Sequence, residues 1–294
     1  LQAVDISFIF SFVTMGVFVE HMMACAKALG HTLSFKHCLP TESALRGEGN
    51  VKFTSCSVEW SAGMLNNDLT NAIKFRQTSR KKYHAGVNSS TLEETVNIAA
   101  DGGMTLLKLS NEHARQAIWL NQRAVFDDMF DEGVRQELNH WLRYTTKQKQ
   151  NLKDGLSYDC MEVNGGFMKV IVDHPSILRS PGLSKVIKRY YLRTMKDNSD
   201  VFYIMAPFGS EKNAFDVGTI VMRIWILFSE KEYYIHPFGT IMSNHDAHKD
   251  FMKLVDVTDE SRETNYLVFI FRAGKSDHPV QSLRIPINEH LLME

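Results

Sequence analysis

The chain has 294 residues, 33 Lys+Arg against 34 Asp+Glu, and a formal net charge of −1. That length allows one large or two moderate domains and buries enough surface to need no disulfide or metal staple. A composition 44% apolar and 23% charged excludes a disordered chain, and the charge balance excludes polyanion binding by bulk electrostatics while leaving a local anion site open.

The longest apolar run, Ile6–Val19, is too short to cross a bilayer, and no basic residue precedes it as a secretory leader would require. It reads as a buried strand or helix. Because the chain opens on Leu1 with that run close behind, the expectation is a fragment or processed form. Gly16–Leu29 reads as an apolar helix stopped at Gly30. Thr32–Cys38 and Val51–Glu59 are strand-like, separated by a loop over Pro40–Asn50, and Asn66–Phe75 is helical. Ser90-Thr91-Leu92-Glu93 has the spacing of a capping box opening a helix to about Ala100. Gly102-Gly103 breaks that helix, Met104–Leu109 is a strand, and Ser110 caps a helix to about Phe126.

Glu132–Tyr144 is amphipathic and helical, and Asn151–Gly166 reads as a loop with turns at Gly155, Gly165 and Gly166. Pro181–Thr194 is a helix carrying Lys185, Lys188, Arg189 and Arg193 on a solvated face. Val201–Ala206 is a core strand, Val217–Phe228 an apolar helix around Gly218, and Tyr266–Arg272 the strongest strand. Helices and strands interleave without βαβ regularity, and no Gly-rich phosphate loop follows a strand. The pattern predicts an α+β sheet packed with helices rather than a doubly wound fold. GVFVEHMMACA from Gly16 and GTIVMRIWILF from Gly218 echo one another, which chance between buried helices or an internal duplication would each explain.

Lys74–Lys82, KFRQTSRKK, carries five basic residues and no acid, with Gln77, Thr78 and Ser79 between them. Guanidinium groups beside hydroxyl and amide donors suit a phosphate monoester; the alternative is a solvated basic turn. Nucleic acid is disfavoured, since no aromatic-rich basic surface accompanies the cluster. Arg272 ends the strong strand, and Lys275 and Arg284 follow it, placed either to complete an anion pocket or to aid solubility. The histidines lack metal-ligand spacing, no GxSxG elbow occurs, and Glu93-Glu94 and Asp127-Asp128 are read at helix N-termini, where dipole and capping explain them. No metal site and no catalytic side chain is therefore expected; a reaction here would be carried by a cofactor. Four scattered cysteines without a CxxC pair read as reduced thiols in the cytoplasm.

In order along the chain, a Gly-led helix with Glu20 ending in AKALGH, RQTSRKKY at Arg76–Tyr83, RQELNHWLRYT at Arg135–Thr145, KDGL at Lys153–Leu156, LRTM at Leu192–Met195, VGTIVMRIWI at Val217–Ile226, IHPFGT at Ile235–Thr240, LVFIFRAGK and LRIPINEHLL resemble strings of the nitroreductase superfamily. Acg-type FMN-binding oxidoreductases are the nearest in pattern. RQTSRKKY resembles R-R-T-N-R-x-x-F, with Gln77 for the second Arg and Ser79 for Asn, and His21 stands where Asn commonly follows the Glu. The family's upstream A-P-S and Q-P-W strings are absent. The resemblance implies a mixed sheet flanked by helices, a monomeric pseudo-dimer fused in one chain or a homodimer, with residues 1–65 the remnant of a first half and 66–294 the second. It implies FMN, its phosphate and ribityl oxygens held by Arg76, Gln77 and Thr78 with Arg284, Arg80 near flavin N1 and O2, and Arg272 and Lys275 as secondary phosphate ligands. The implied activity is hydride transfer from NAD(P)H to flavin and then to a nitro-aromatic or quinone-like small-molecule acceptor. The alternative is a flavin-storage protein with little turnover. Neither a nucleic-acid nor a membrane partner is expected.

Overall fold

The computed structural model describes residues 9–37, 39, 54–59, 64–195 and 199–286. The expected Pro40–Asn50 loop, the start of the apolar run and the closing INEHLL string lie outside them. Helix α1 (Ile9–Ala28) absorbs the apolar run and the Gly-led segment into one element, so the strand option for the run gives way to a helix. It stops where Gly30 takes φ +80°, a conformation that costs glycine little. Strands β1 (Thr32–His37) and β2 (Thr54–Glu59) form an antiparallel pair with Thr32 opposite Glu59. Helix α2 (Asn67–Phe75) starts where Asn66 Oδ1 accepts from the Leu69 amide at 3.0 Å.

After β3 (Tyr83–Ala85) comes α3 (Ser89–Asp101), whose cap is Asn88 rather than Ser90. Asn88 Oδ1 accepts from the Thr91 amide at 2.8 Å, and the Ser90 hydroxyl, two residues too late to cap, donates to that same oxygen. Strand β4 (Thr105–Lys108) leads to α4 (Asn111–Asp128), capped by Ser110 as expected. Helix α5 (Glu132–Trp141) runs straight into β5 (Leu142–Arg143), and α6 (Thr146–Leu152) precedes β6 (Leu156–Ser157). Gly165 and Gly166 mark no turn. They open α7 (Gly165–Asp173), because a side chain at Gly165 would collide with the Tyr144 carbonyl that the helix start packs against. A 3-10 turn, Pro175–Arg179, joins it to α8 (Pro181–Leu192).

Strand β7 (Asp200–Ala206), helix α9 (Glu211–Glu230) and strand β8 (Tyr234–Pro237) then build the centre, followed by α10 (Gly239–Ser243), α11 (His245–Leu254) and β9 (Tyr266–Ser276). Strand β9 is the spine of an antiparallel sheet: β7 pairs along most of it, β8 pairs with residues 271–274, and β3 takes its end at 275–276. Strand β4 lies outside β7. Both faces are covered. Phe202, Ile204 and Ala206 face Val217, Ile220, Val221 and Phe228 of α9, while Val201, Tyr203 and Met205 face Ala117, Leu120 and Phe251 of α4 and α11. Two-sided burial is why these strands read as continuous apolar runs. A register shift between Ile204 and Met205 also breaks strict alternation in β9. The architecture is α+β, with helices on both faces of an antiparallel sheet. A separate apolar cluster around Leu142, Met168, Leu178 and Ile187 holds α5, α7 and α8 together.

Among the described residues, α1 is the one helix long and apolar enough to cross a membrane by length and composition. Its inner face, with Phe12, Gly16 and Val19 buried, lies on α9. The two helices touch backbone to backbone at reciprocal glycines. A side chain on Gly16 would strike the Phe215 carbonyl and approach the Thr219 amide; one on Gly218 would strike the Val13 carbonyl and approach the Val17 amide. Each glycine thus meets the residues three before and one after the other, a local two-fold relation that matches the sequence echo. Gly218→Ala is expected to lower stability by about 2–3 kcal/mol in urea unfolding, since backbone must move to admit the methyl. Gly182→Ala, with open space around it, stays within about 0.5 kcal/mol.

Candidate cofactor site

The basic stretch leaves α2 at Arg76, whose ψ of 103° ends the helix while its amide still donates to the Ala72 carbonyl at 3.0 Å. From there the chain lies along the free edge of β8: Thr78 forms a parallel bridge with Ile235, and the Ser79 amide donates to the Ile235 carbonyl at 3.3 Å. Ser79 is fully buried, with its hydroxyl 2.8 Å from that of Ser276, and the Tyr83 hydroxyl donates to the Ser79 carbonyl at 2.8 Å. Gln77 turns the other way, its Nε2 3.4 Å from Nε2 of His278. The segment is therefore a pinned extended strip and not a solvated turn.

Arg76 and Arg284, far apart in the sequence, lie within range of each other's charge. Burial, and then the Arg284 charge, push the Arg76 guanidinium below the usual arginine range. The Arg76 guanidinium carbon stands 5.2 Å from the Trp225 ring centroid, and its Nε is buried with no hydrogen-bond partner. Helix α1 supplies the other neighbours. Burial, and then Arg76, lower the His21 pKa, and burial raises that of Cys25 against the opposing pull of Arg76. No carboxylate is among the groups that shift Arg76. Arg284 is exposed and donates to the Leu283 carbonyl at 2.8 Å. The segment leading to it is tied down by Cys160, whose Sγ lies 3.4 Å from the Val280 carbonyl and from the Ser282 hydroxyl.

A second cationic centre surrounds Arg80 and Arg272. Arg80 donates to the Cys160 carbonyl at 3.4 Å. Burial pushes its pKa down and Arg272 adds to that push, while Tyr191, Cys160 and Tyr83 oppose it; none of these is a carboxylate. Arg272 is wholly buried and its guanidinium is committed to the protein. Nε donates to His236 Nδ1 at 3.1 Å, Nη1 to the Thr194 carbonyl at 2.9 Å, and Nη2 to the Lys81 carbonyl at 3.0 Å, with the Tyr83 ring 4.5 Å away. Its geometry is that of a brace clamping the basic strip to the sheet. Lys275 falls on the opposite face of β9, 3.8 Å from Glu232 and over the Tyr233 ring, so the structure does not bring it to Arg76 and Arg284.

Beside Arg284 opens a cleft of about 610 Å³ with apolar walls from Val134, Leu138, Trp141, Leu156 and Ile285. Its floor is set by the W-L-R and D-G-L strings. Buried Arg143 holds Asp154 Oδ1 through Nε at 2.9 Å and Nη2 at 2.6 Å. Gly155, at φ +67°, leaves no room for a side chain beneath the Trp141 carbonyl. Sequence reasoning missed Trp225, Cys25, His236, Cys160 and Tyr191. Trp225 and Cys25 fall seven and nine positions after the two echoing glycines, which is the signal that would have found them. Among the described residues no group of three His, Cys, Asp or Glu side chains could hold a metal.

No protein-family profile and no curated protein matches the chain. Solved structures that overlap it loosely include an FMN-dependent nitroreductase of Mycobacterium smegmatis in complex with NADPH, at 12% identity and a TM-score of 0.46 over 77% of this chain and 98% of that one. Others are an FMN and NADPH-dependent nitroreductase of Sphigopyxis sp. strain HMH, at 13% and 0.44 over 76% and 98%, and a nitroreductase-like protein of Bacillus cereus, at 12% and 0.40 over 76% and 95%. Overlaps this loose say nothing of what the present chain binds.

His236 yields a pH prediction. Burial, then Arg272 and Arg80, hold its pKa well below the ordinary histidine value. Above about pH 6.5 folded and unfolded states are both neutral there; below it only the unfolded state gains the proton. Stability should therefore fall as pH drops below about 6.5, by up to about 1.4 kcal/mol per pH unit from this group. The slope should flatten in His236→Asn, measured by urea unfolding across pH 5 to 7.

Proposed function

We propose that the chain is a nitroreductase-type flavoprotein that binds FMN and uses NAD(P)H to reduce a nitro-aromatic or quinone-like acceptor. The observation that carries this reading is Arg76 itself: its Nε is buried and unpartnered, and the charge it feels from Arg284 is repulsive with no carboxylate to offset it. Such an arrangement costs free energy until an anion arrives, and each charge-assisted bond to a phosphate oxygen returns roughly 1.5–3 kcal/mol. An FMN phosphate fits that need. Arg76 and Arg284 would hold it, with Gln77 and Thr78 on the strip beside them toward the ribityl oxygens.

Arg80 would face the pyrimidine edge of the ring. When bound, FMN supplies the redox chemistry, taking hydride from the nicotinamide and passing electrons to the acceptor. The protein's own residues bind, orient and exclude water. The guanidinium of Arg80, with the charge of Arg272 near it, would supply the positive potential that favours a reduced, anionic flavin. The apolar cleft that shares Arg284 offers the dry wall a planar aromatic guest requires. On this reading residues 1–65 descend from a first half of a duplicated unit. The free thiols of Cys25 and Cys160 are in keeping with a cytoplasmic setting.

Purified protein incubated with FMN should retain a yellow flavin spectrum. Arg76→Ala and Arg284→Ala should each weaken FMN binding roughly 10- to 100-fold, whereas Lys275→Ala should leave it unchanged. Loaded protein should oxidise NAD(P)H with menadione faster than free FMN does. Absence of bound flavin, or unaltered affinity in both arginine variants, would overturn the assignment.

A further inference from the structure

We infer that the outer face of α8 is a docking surface for an anionic lipid bilayer. Between His174 and Met195 the chain carries Arg179, Lys185, Lys188, Arg189 and Arg193 and no Asp or Glu. Helix α8 turns Ile187 inward to the apolar cluster, and Tyr191 sits against Arg80. Its outward positions are Leu183, Lys185, Val186, Lys188 and Arg189, all exposed; Val186 is 63% accessible and Leu183 44%. Large aliphatic side chains left this open on an ordered helix are out of place unless something covers them.

The charges on that face are also unspent. Arg179 lies over the Phe130 ring, and Arg193 over the Tyr190 ring with a hydrogen bond to the Glu162 carbonyl. Asp173, the nearest acid before the run, is paired with Lys169 at 2.9 Å. The side chains of Lys185, Lys188 and Arg189 make no ion pair or hydrogen bond among the described residues. On the outward side of α8, three cations without ion pairs among the described residues lie beside two exposed aliphatic side chains, a pairing an interfacial helix uses when cations meet anionic headgroups and aliphatics enter the acyl boundary. An extended peptide docks in a groove or along a sheet edge; α8 offers a helical ridge with exposed cations, whose charge an array of anionic headgroups complements. The expectation of no membrane partner rested on spanning length and net charge, and neither sees a one-sided patch.

The test is co-sedimentation of the whole protein with vesicles of phosphatidylcholine alone or with roughly 30% phosphatidylserine. Binding should require the anionic lipid and fall several-fold between about 50 and about 300 mM salt. Lys185→Glu/Lys188→Glu/Arg189→Glu should lose about tenfold or more of that binding while keeping the native circular dichroism spectrum. Val186→Ser, which leaves every charge in place, should lose about threefold. Equal binding to both vesicle types, or undiminished binding by the triple variant, would overturn the proposal. So would binding to polyglutamate without binding to vesicles, which would assign the patch to an acidic protein.

Discussion

The contact on which the rest of this molecule depends is the backbone-to-backbone crossing of α1 and α9. Glycine at position 16 and again at 218 lets the two helices approach until each carbonyl ridge fills the other's missing side chain. Only at that separation can His21 and Cys25 from one helix and Trp225 from the other share the space around Arg76. The relation is two-fold in geometry but not in chemistry. At the reciprocal offsets stand Arg223, Leu227 and Met23, which line a second cleft of about 650 Å³. There Arg223 is paired with Glu20, at 3.0 Å through both Nε and Nη2. One side of the axis carries Arg223 neutralised by Glu20; at the reciprocal position the other carries His21, beside an Arg76 that no carboxylate shifts.

That difference decides how the charges should be weighed. A guanidinium taken from water costs several kcal/mol unless it is paired or fully hydrogen-bonded. Arg272 meets the condition with two carbonyls and an imidazole nitrogen, so its burial is self-consistent, and its cation fastens Lys81, Thr194 and β8 to one spine. Arg76 does not meet it. The fold tolerates the deficit because the crossing helices and the β8 edge hold the basic strip from both sides.

Much of the fold was legible because its signals are local. Asn66, Ser110 and Gly30 announce helix ends through side-chain acceptors or a free φ, and the sheet strands betray themselves by runs of β-branched and aromatic residues. The strip from Arg76 to Arg80 stood out by charge density alone. What was not legible was tertiary. Nothing near Gly165 says that its neighbour will be the Tyr144 carbonyl, so a glycine pair that permits close packing looked like a turn. Arg272 and Lys275, three residues apart, read as one cluster, yet strand alternation sends one into the core and the other to Glu232. A capping box at Ser90 was outcompeted by Asn88, whose carbonyl oxygen reaches the same helix start two residues earlier.

The absence of a nucleophile or acid pair in the sequence acquires a physical explanation at His236. Its Nδ1 accepts from Arg272, so the neutral ring carries its proton on Nε2. Burial and two adjacent guanidiniums forbid a second proton. A histidine held this way is a poor general acid near neutrality, because the form that would donate is the one its surroundings disfavour. What the side chains at this centre can offer is fixed positive potential and donors already in position. Electrostatic preorganisation of that kind would suit chemistry residing on a bound group rather than on the protein, as the proposed function requires.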